Sequence, residues 1–159
     1  MMYRAGIGYD VHPIARGNKG LFLGGVKVSD EFYLHGHSDG DVLSHAIVDA
    51  ILGAAGAGNI GLWFPENEVN RGRRSIEFLA EVRTGLTDSW EIVNIDSVVV
   101  IGEVRLSGRI AEIEESIAQA LKVSSEIISV KPKSGNGGGT QFVQSQAICL
   151  LRRVGNVDA

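Results

Sequence analysis

Residues 35–45 hold the densest group of side chains able to bind a metal or move a proton, with three histidines and two aspartates. Asp41, His45 and Asp49 recur every four residues, which places them on one face of a helix. A histidine beside two carboxylates could be a metal ligand whose ring is oriented by the carboxylates. Aspartates at a helix start are also common caps, and a single helix histidine is usually a packing or surface residue. The spacing alone leaves both interpretations open.

A second group lies near the N-terminus, where residues 3–12 alternate in the manner of a β-strand. Asp10 and His12 share one face of this strand, a spacing that suits two ligands of one metal. A solvated strand end is the alternative. We expect the apolar side chains to face a core and the others to face away. The apolar set is Ala5, Ile7, Tyr9 and Val11, and the opposite set is Gly6, Gly8, Asp10 and His12.

The elements that must position these residues follow from the periodicity of the chain. One helix is predicted to end near Ala55, and two more are predicted to span roughly 74–86 and 108–121. Ser107 is a candidate cap of the last of these helices. Strands or hairpins are predicted at 21–28, 91–102, 127–132 and 142–152. This order indicates an α/β (α+β) fold, a single-domain sandwich over residues 1–159 with helices on one face of a mixed sheet. The predicted core comprises Ile7, Val11, Leu43, Ile47, Ile51, Val98, Val100, Ile117, Val143 and Leu150.

Composition narrows the classes of partner. The 159 residues carry a net charge of −4 without a basic block, so no nucleic acid is expected to bind. No stretch reaches the length of a membrane span, and the first residues show no signal-peptide pattern, so we expect no membrane and a cytoplasmic location. Cys149, the single cysteine, lies in an apolar run and is predicted to be a buried structural thiol.

A glycine-rich loop is predicted between the last two strands, with four glycines among residues 133–141. Exposed backbone N–H groups in such a loop can cradle a phosphate. The loop matches neither the Walker nor the dinucleotide fingerprint, so a plain hairpin or a mobile surface loop is equally open.

Three parts of the chain carry a specific pattern: Gly8-Tyr9-Asp10-Val11-His12, His37-Ser38-Asp39-Gly40-Asp41-Val42 and His45. With this pattern the chain resembles the 2-C-methyl-D-erythritol 2,4-cyclodiphosphate synthase family of the non-mevalonate isoprenoid pathway. The resemblance implies a homotrimer with active sites between adjacent subunits. It also implies a divalent metal, usually zinc, held by Asp10, His12 and His45. Three protein ligands and one open position suit a catalytic rather than a structural zinc.

The resemblance further implies a lyase that acts on a small phosphorylated substrate, 4-diphosphocytidyl-2-C-methyl-D-erythritol 2-phosphate. Its 2-phosphate would attack the β-phosphate, CMP would leave, and 2-C-methyl-D-erythritol 2,4-cyclodiphosphate would form. By the same resemblance, His37 and Ser38 contact the methylerythritol phosphate, and His37 helps to stabilise the transition state. Gly61, Phe64 and Pro65 would line the pocket for the diol, and residues 101–106 would flank the cytidine.

Several positions depart from the family pattern, and they cluster in the diol, nucleotide and second-metal regions. Asn59 replaces an aspartate of the diol pocket, and Arg105 stands where the cytidine segment has lysine. Asn136 falls where the family has a glutamate that holds a second metal, usually magnesium, although a hard dication prefers an anionic oxygen. Ser134 stands in for the threonine that stabilises the transition state. Asp10, His12, His37, Ser38, Asn59, Gly61, Phe64, Arg105 and Asn136 thus form the expected substrate-binding set.

Three hypotheses follow from this pattern. The first is a working synthase with a divergent last loop. The second is a metal-dependent enzyme that acts on a different phosphorylated substrate, and the third is a non-catalytic trimer that binds a metal or an isoprenoid phosphate. The remaining residues have structural interpretations: His35 as a loop residue, Asp39 and Asp41 as turn and cap, and Trp63 and Trp90 as packing residues.

Overall fold

The computed structural model describes residues 1–137 and 141–154 of the chain. Within these residues there are seven strands: β1 (Tyr3–Arg16), β2 (Leu21–Leu23), β3 (Val26–Ser29), β4 (Phe32–Leu34), β5 (Trp90–Val100), β6 (Ile128–Lys133) and β7 (Phe142–Arg153). Four helices accompany them: α1 (Val42–Ala55), α2 (Ile60–Trp63), α3 (Ser75–Leu86) and α4 (Ile110–Leu121). The predicted elements are therefore present, and β4 and α2 are additions too short for a periodicity signal.

Five strands form one sheet in the order β4-β1-β7-β5-β6, and β2 and β3 form a separate hairpin. Strands β5 and β6 are parallel and joined through α4, while the other neighbours in the large sheet are antiparallel. The sheet is thus mixed, and the helices cover one of its faces, as predicted.

The predicted orientation of β1 is wrong. Ile7, Tyr9 and Val11 are 73%, 49% and 39% exposed, whereas Gly8 is buried against α1. A Cβ built on Gly8 would overlap the carbonyl oxygen of Ala46, and one on Gly6 would overlap that of Ala50. The glycines are therefore the inner face of the strand, because only residues without a side chain let the helix backbone approach so closely.

Five of the ten predicted core residues are fully buried, and the other five lie on the face of the sheet that no helix covers. Leu43, Ile47, Ile51, Ile117 and Val143 are buried as predicted. Ile7 and Val11 are exposed, and Val98, Val100 and Leu150 are only half-buried because they lie on the uncovered face of the sheet. That face carries the apolar side chains of Ile7, Tyr9, Val11, Val98, Val100, Phe142, Ile148 and Leu150.

Asp41 is the N-cap of α1, and its carboxylate accepts a hydrogen bond from Ser44 N at 3.0 Å. The same carboxylate accepts from Gly24 N at 3.0 Å and from Gly25 N at 2.8 Å, in the turn of the β2–β3 hairpin. The Asp41 side chain therefore caps α1 and also connects the β2–β3 hairpin, by hydrogen bonds, to the helix that carries His45. Ser107 is not the cap of α4, which begins after Arg109 without a side-chain cap.

The other structural interpretations are confirmed. Cys149 is buried, and burial raises the pKa of its thiol to about 12. Trp90 is buried, and the Trp63 indole donates to the Ala57 carbonyl at 3.0 Å. Among the helices of the described ranges, none is both long and apolar enough to cross a membrane.

Candidate active site

Asp10, His12 and His45 converge between β1 and α1. The first two lie on the face of β1 that packs on α1, and His45 lies in the first turn of that helix. One ligand atom from each residue lies within 4.8 Å of the other two. The close approach of α1 over Gly6 and Gly8 is what brings the helical histidine to the two strand residues.

Each histidine presents a different ring nitrogen to the Asp10 carboxylate. His12 Nε2 lies 3.1 Å and His45 Nδ1 lies 2.8 Å from Asp10 Oδ2. The other nitrogens are already engaged: His12 Nδ1 contacts the His35 carbonyl, and His45 Nε2 lies 2.8 Å from Ser75 Oγ. The two rings are thereby held with one nitrogen each directed to the same carboxylate oxygen.

This donor set fits zinc. Two imidazole nitrogens and a carboxylate oxygen are ligand types that zinc takes at about 2.0–2.2 Å, which places tetrahedral ligands about 3.4 Å apart. The observed nitrogen–oxygen separations of 2.8 and 3.1 Å need only a small expansion to admit the ion. Three protein donors would leave a fourth coordination position open.

The charges at this cluster reinforce one another. Burial raises the pKa of Asp10, but hydrogen bonds from His12 and His45 and the charges of both residues lower it more, so it lies well below its ordinary value. Burial lowers the pKa of His12, and its hydrogen bond and charge interaction with Asp10 outweigh that effect, so it is raised above 6.5. The site thus favours an anionic carboxylate beside a cation.

A cleft of about 230 Å³ opens beside the cluster. The predicted residues His37, Ser38, Gly61 and Phe64 line it together with Asp10, His12 and His45. Ser38 Oγ lies 3.1 Å from His45 Nε2. The cleft therefore brings together the predicted metal ligands and one predicted phosphate-binding pair.

Sequence reasoning missed six residues here, among them the apolar Val11 and Ile60 in the lining of the cleft. Glu66, Asn70 and Phe78 also line the cleft, and Phe78 stacks on Phe64 with centroids 4.2 Å apart. Helical spacing could have found Phe78, because it lies four residues before the buried Val82. Ser75 had no such signal, since its contact with His45 joins residues 30 positions apart.

Of the two interpretations left open for Asp41, the structure supports the cap, and neither Asp41 nor Asp49 is the partner of His45. The Asp41 carboxylate points to the turn of the β2–β3 hairpin, where it accepts a hydrogen bond from Gly24 N. Asp49 accepts a hydrogen bond from Ile60 N at 2.7 Å, which places α2 beside the cleft. The carboxylate next to His45 is that of Asp10. Residues on one helix face can still be separated when the helix sits at a junction of several elements.

Five predicted residues do not line this cleft within one chain: Asn59, Pro65, Arg105, Ser134 and Asn136. Asn59 is the N-cap of α2, with Oδ1 accepting from Leu62 N at 3.1 Å. Arg105, Ser134 and Asn136 are exposed, and Asn136 has a φ of 50° in the loop after β6. Residues 138–140 of that glycine-rich loop lie outside the described part of the chain.

The geometry of the sheet separates the Ser134 loop from the cleft. His12 is level with Val143 on β7, and Val100 at the same end of β5 pairs with Lys133 on β6. Strands β1 and β6 are three strand spacings apart, which is about 14 Å. The two predicted halves of the site therefore lie at the same end of the sheet but at different sides of it.

Comparisons with known proteins agree on one family. The sequence pattern of the YgbB family matches residues 3–152. The chain is 57% identical over 155 residues to 2-C-methyl-D-erythritol 2,4-cyclodiphosphate synthase of Kosmotoga olearia, with 97% of this chain and 99% of that protein covered. Among solved structures, IspF of Plasmodium falciparum in complex with CDP matches with a TM-score of 0.83 and 34% identity, over 96% and 97% of the two chains. The bifunctional IspDF from Campylobacter jejuni matches with a TM-score of 0.91 and 30% identity, covering 96% of this chain and 43% of that longer chain.

Proposed function

The chain belongs to the YgbB family, and on that premise we propose that it converts 4-diphosphocytidyl-2-C-methyl-D-erythritol 2-phosphate to 2-C-methyl-D-erythritol 2,4-cyclodiphosphate and CMP. The observation that carries this proposal is the convergence of Asp10, His12 and His45 on the cleft that also contains His37 and Ser38. The relatives described above carry the synthase name, so the comparisons give no support to a different substrate or to a non-catalytic role.

The reaction is an intramolecular phosphoryl transfer. An oxygen of the 2-phosphate forms a bond to the β-phosphorus, the bond from that phosphorus to the bridging oxygen breaks, and CMP leaves with the electron pair. Such a step depends on alignment and charge neutralisation more than on covalent help from the protein. We assign His37 and Ser38 to hold the methylerythritol phosphate, His37 also to stabilise the transition state, and Gly61 and Phe64 to line the diol pocket.

Asp10, His12 and His45 would hold a divalent metal, for which zinc is our proposal. When bound there, it supplies Lewis-acid neutralisation of phosphate oxygens. The protein's own contribution is to keep Asp10 ionised and to present His12 Nε2 and His45 Nδ1 toward the carboxylate. A second metal, magnesium, would contact the diphosphate with Asn136 in place of the usual glutamate.

We propose a homotrimer in which a neighbouring copy completes each site. The uncovered sheet face supports this, because it exposes apolar residues such as Ile7 and Ile148, which pair across β1 and β7. The separation of the cleft from Ser134, Asn136 and Arg105 also supports it. A cyclic assembly places one side of the sheet against the other side of the next copy, so it can reunite the two halves.

The remaining expectations follow from this assignment. The match of the family pattern to residues 3–152 supports one domain over residues 1–159. A water-soluble, nucleotide-linked substrate fits the cytoplasmic location expected from the sequence, and the negative net charge of −4 fits a partner other than nucleic acid.

The test is CMP release from 4-diphosphocytidyl-2-C-methyl-D-erythritol 2-phosphate by zinc-loaded protein, with and without magnesium, with the product identified by mass. We expect CMP and the cyclic diphosphate in equal amounts. His45→Ala removes one of three metal ligands, so it should lose both zinc and turnover, while the exposed loop variant Val69→Ala should keep both. No CMP from folded, zinc-loaded trimer would overturn the proposed reaction.

A further inference from the structure

Ser75, the first residue of α3, is fully buried beside His45. Its Oγ lies 2.8 Å from His45 Nε2, on the side of the imidazole ring away from Asp10. The same hydroxyl donates to Asp39 Oδ1 at 2.5 Å, and Ser75 N donates to Asp39 Oδ2 at 3.1 Å. A carboxylate, a hydroxyl and an imidazole are thus joined in a chain that ends at the cluster of Asp10, His12 and His45.

The shortest contacts of this chain indicate how its protons are arranged, and Ser38 Oγ, 3.1 Å from both Ser75 Oγ and His45 Nε2, is a further partner. An ionised Asp39 can only accept, so the single hydroxyl proton of Ser75 points to Asp39. The lone pairs of Ser75 Oγ then face His45 Nε2, which must carry a proton to make that contact. His45 Nδ1 is then the nitrogen that faces Asp10 Oδ2 at 2.8 Å: it donates to that carboxylate when no metal is bound, and it presents its lone pair once a metal displaces that proton.

Asp39 is well placed to hold this arrangement. Its side chain is 7% exposed, and Arg74 Nε lies 3.4 Å from Asp39 Oδ2 as an ion-pair partner. Asp39 Oδ1 also accepts from Asp41 N at 3.2 Å, in the turn that leads into α1. The carboxylate is therefore fixed by contacts on both sides of the cluster, from α3 and from the start of α1.

From this chain of contacts we propose that Ser75 and Asp39 are positioning residues that set the tautomer and orientation of His45 for metal binding. The inference rests on the proposed function, because it assigns these residues to the metal cluster described above. It extends the site to α3, an element that carries none of the predicted ligands. It also gives Asp39 a role beyond shaping the turn after His37.

The competing explanation is that Ser75 and Asp39 only stabilise the start of α3. A carboxylate that accepts from the backbone N–H of the first helical residue does act as a cap. The two roles differ in what they change. A cap affects the unfolding of the metal-free protein, whereas a positioning residue affects metal affinity and the ligand field of a bound metal.

The experiment compares Ser75→Ala with Ser97→Ala in the full chain. Ser97 is 2% exposed, and its hydroxyl donates to the Ser129 carbonyl at 2.9 Å, remote from the cluster. Zinc affinity is measured by competition with a chelator, and the visible spectrum is recorded after substitution with Co²⁺. Urea unfolding of each metal-free variant measures the purely structural cost.

We expect Ser75→Ala to weaken zinc binding by roughly 10–100-fold, the usual effect of removing a partner of a metal-binding histidine. Its Co²⁺ spectrum should change, while that of Ser97→Ala stays as in the wild type. Ser75→Thr, which keeps the hydroxyl, should restore most of the affinity. Asp39→Asn is the second variant, and it should weaken zinc binding even where Ser75→Ala fails to fold.

The outcomes distinguish the positioning role of Ser75 and Asp39 from the proposed reaction. Unchanged zinc affinity and an unchanged Co²⁺ spectrum in Ser75→Ala and Asp39→Asn would overturn the positioning role and leave the proposed reaction intact. A wild-type protein that binds neither zinc nor Co²⁺ would overturn both. A protein that shows the Ser75 dependence but releases no CMP would retain the positioning role and lose the reaction.

Discussion

His12 and His45 differ in what holds the second nitrogen of each ring. His12 Nδ1 meets the backbone carbonyl of His35, which no substitution of side chains removes directly. His45 Nε2 meets the hydroxyl of Ser75, and Ser38 Oγ lies 3.1 Å away as a further partner. The orientation of His45 is therefore the more sensitive of the two to changes in sequence, although it lies on a helix.

The raised pKa of His12 predicts how the stability of the metal-free protein depends on pH. Protonated His12 is stabilised by Asp10 in the folded state, so its contribution is fully present below the unfolded value of 6.5 and is lost as pH rises through the raised folded value. In the presence of a chelator, the urea midpoint of wild type should exceed that of His12→Asn more at about pH 5.5 than at about pH 8.5.

The matched control for this experiment is His35→Asn, because His35 is exposed and touches His12 only through its backbone carbonyl. Its midpoint difference from wild type should not follow pH in the same way. Zinc affinity should show the opposite slope and improve with rising pH, since protons compete for His12. A midpoint difference for His12→Asn that stays constant over this range would contradict the raised pKa.

At the scale of elements, the packing of α1 on β1 builds the site. Gly6 and Gly8 remove two side chains from the inner face of β1, which lets α1 lie directly on the strand. The next two residues on that face are Asp10 and His12, so polar ligands continue where the glycines end. A tightly packed strand–helix pair thus holds three ligands with no need for a loop to order them.

Gly8→Ala should damage both the fold and the metal site. Its Cβ would overlap the Ala46 carbonyl oxygen, so α1 or the strand must shift, and overpacking of this kind costs about 1–3 kcal/mol. Because Ala46 is next to His45, the shift should also lower zinc affinity. Urea unfolding and chelator competition measure the two effects.

Gly53→Ala is the control within the same helix. The nearest atom to its added Cβ is the Ile7 carbonyl oxygen at 3.8 Å, an ordinary contact. Alanine in a helix interior is more favourable than glycine by about 1 kcal/mol, so this variant should be stabilised and keep its zinc affinity. Equal stability in Gly8→Ala and wild type would show that the helix does not need the glycine surface.

At the scale of the whole molecule, the two groups of residues that we propose for the site do not meet within one chain. The cleft lies beside β1, and Ser134, Asn136 and Arg105 lie near β6 or in the segment after β5. The sheet face opposite the helices exposes apolar side chains over the same strands. Both features fit the closed assembly of copies that we propose, in which that face is covered.

Subunit complementation tests this assembly. His45→Ala disables the cleft half and Ser134→Ala disables the loop half, so each pure protein should be inactive or nearly so. When the two are unfolded together, refolded and loaded with zinc, random cyclic assembly should pair intact halves at about one site in four. CMP release by the mixture should therefore approach about a quarter of the wild-type rate.

A mixture of His12→Ala and His45→Ala is the control, because both substitutions lie in the same half and no pairing restores it. Light scattering should give three times the chain mass of 17.0 kDa for each sample. A mixture of His45→Ala and Ser134→Ala that stays as inactive as its parents would contradict sites shared between copies.

The sequence by itself determined the local and the contiguous features. Alternation identified β1, the four-residue spacing and cap identified α1, and the apolar run at 21–28 identified a strand or hairpin, which the structure shows to be the β2–β3 hairpin. The motif around Asp10, His12 and His45 was enough to identify the family, because its residue types and spacing are specific. These features depend on neighbours in the chain, so they can be read in order.

Only the tertiary structure decided which face of β1 is inside. Alternation defines two faces but does not say which one a helix will cover, and glycine on the inner face looks the same as glycine in a solvated strand. Ser75 contacts His45 across 30 residues of chain and Asp39 across 36 residues, through contacts that no periodicity encodes. The distance between the cleft and Ser134 likewise comes from strand order, which depends on how the whole sheet pairs.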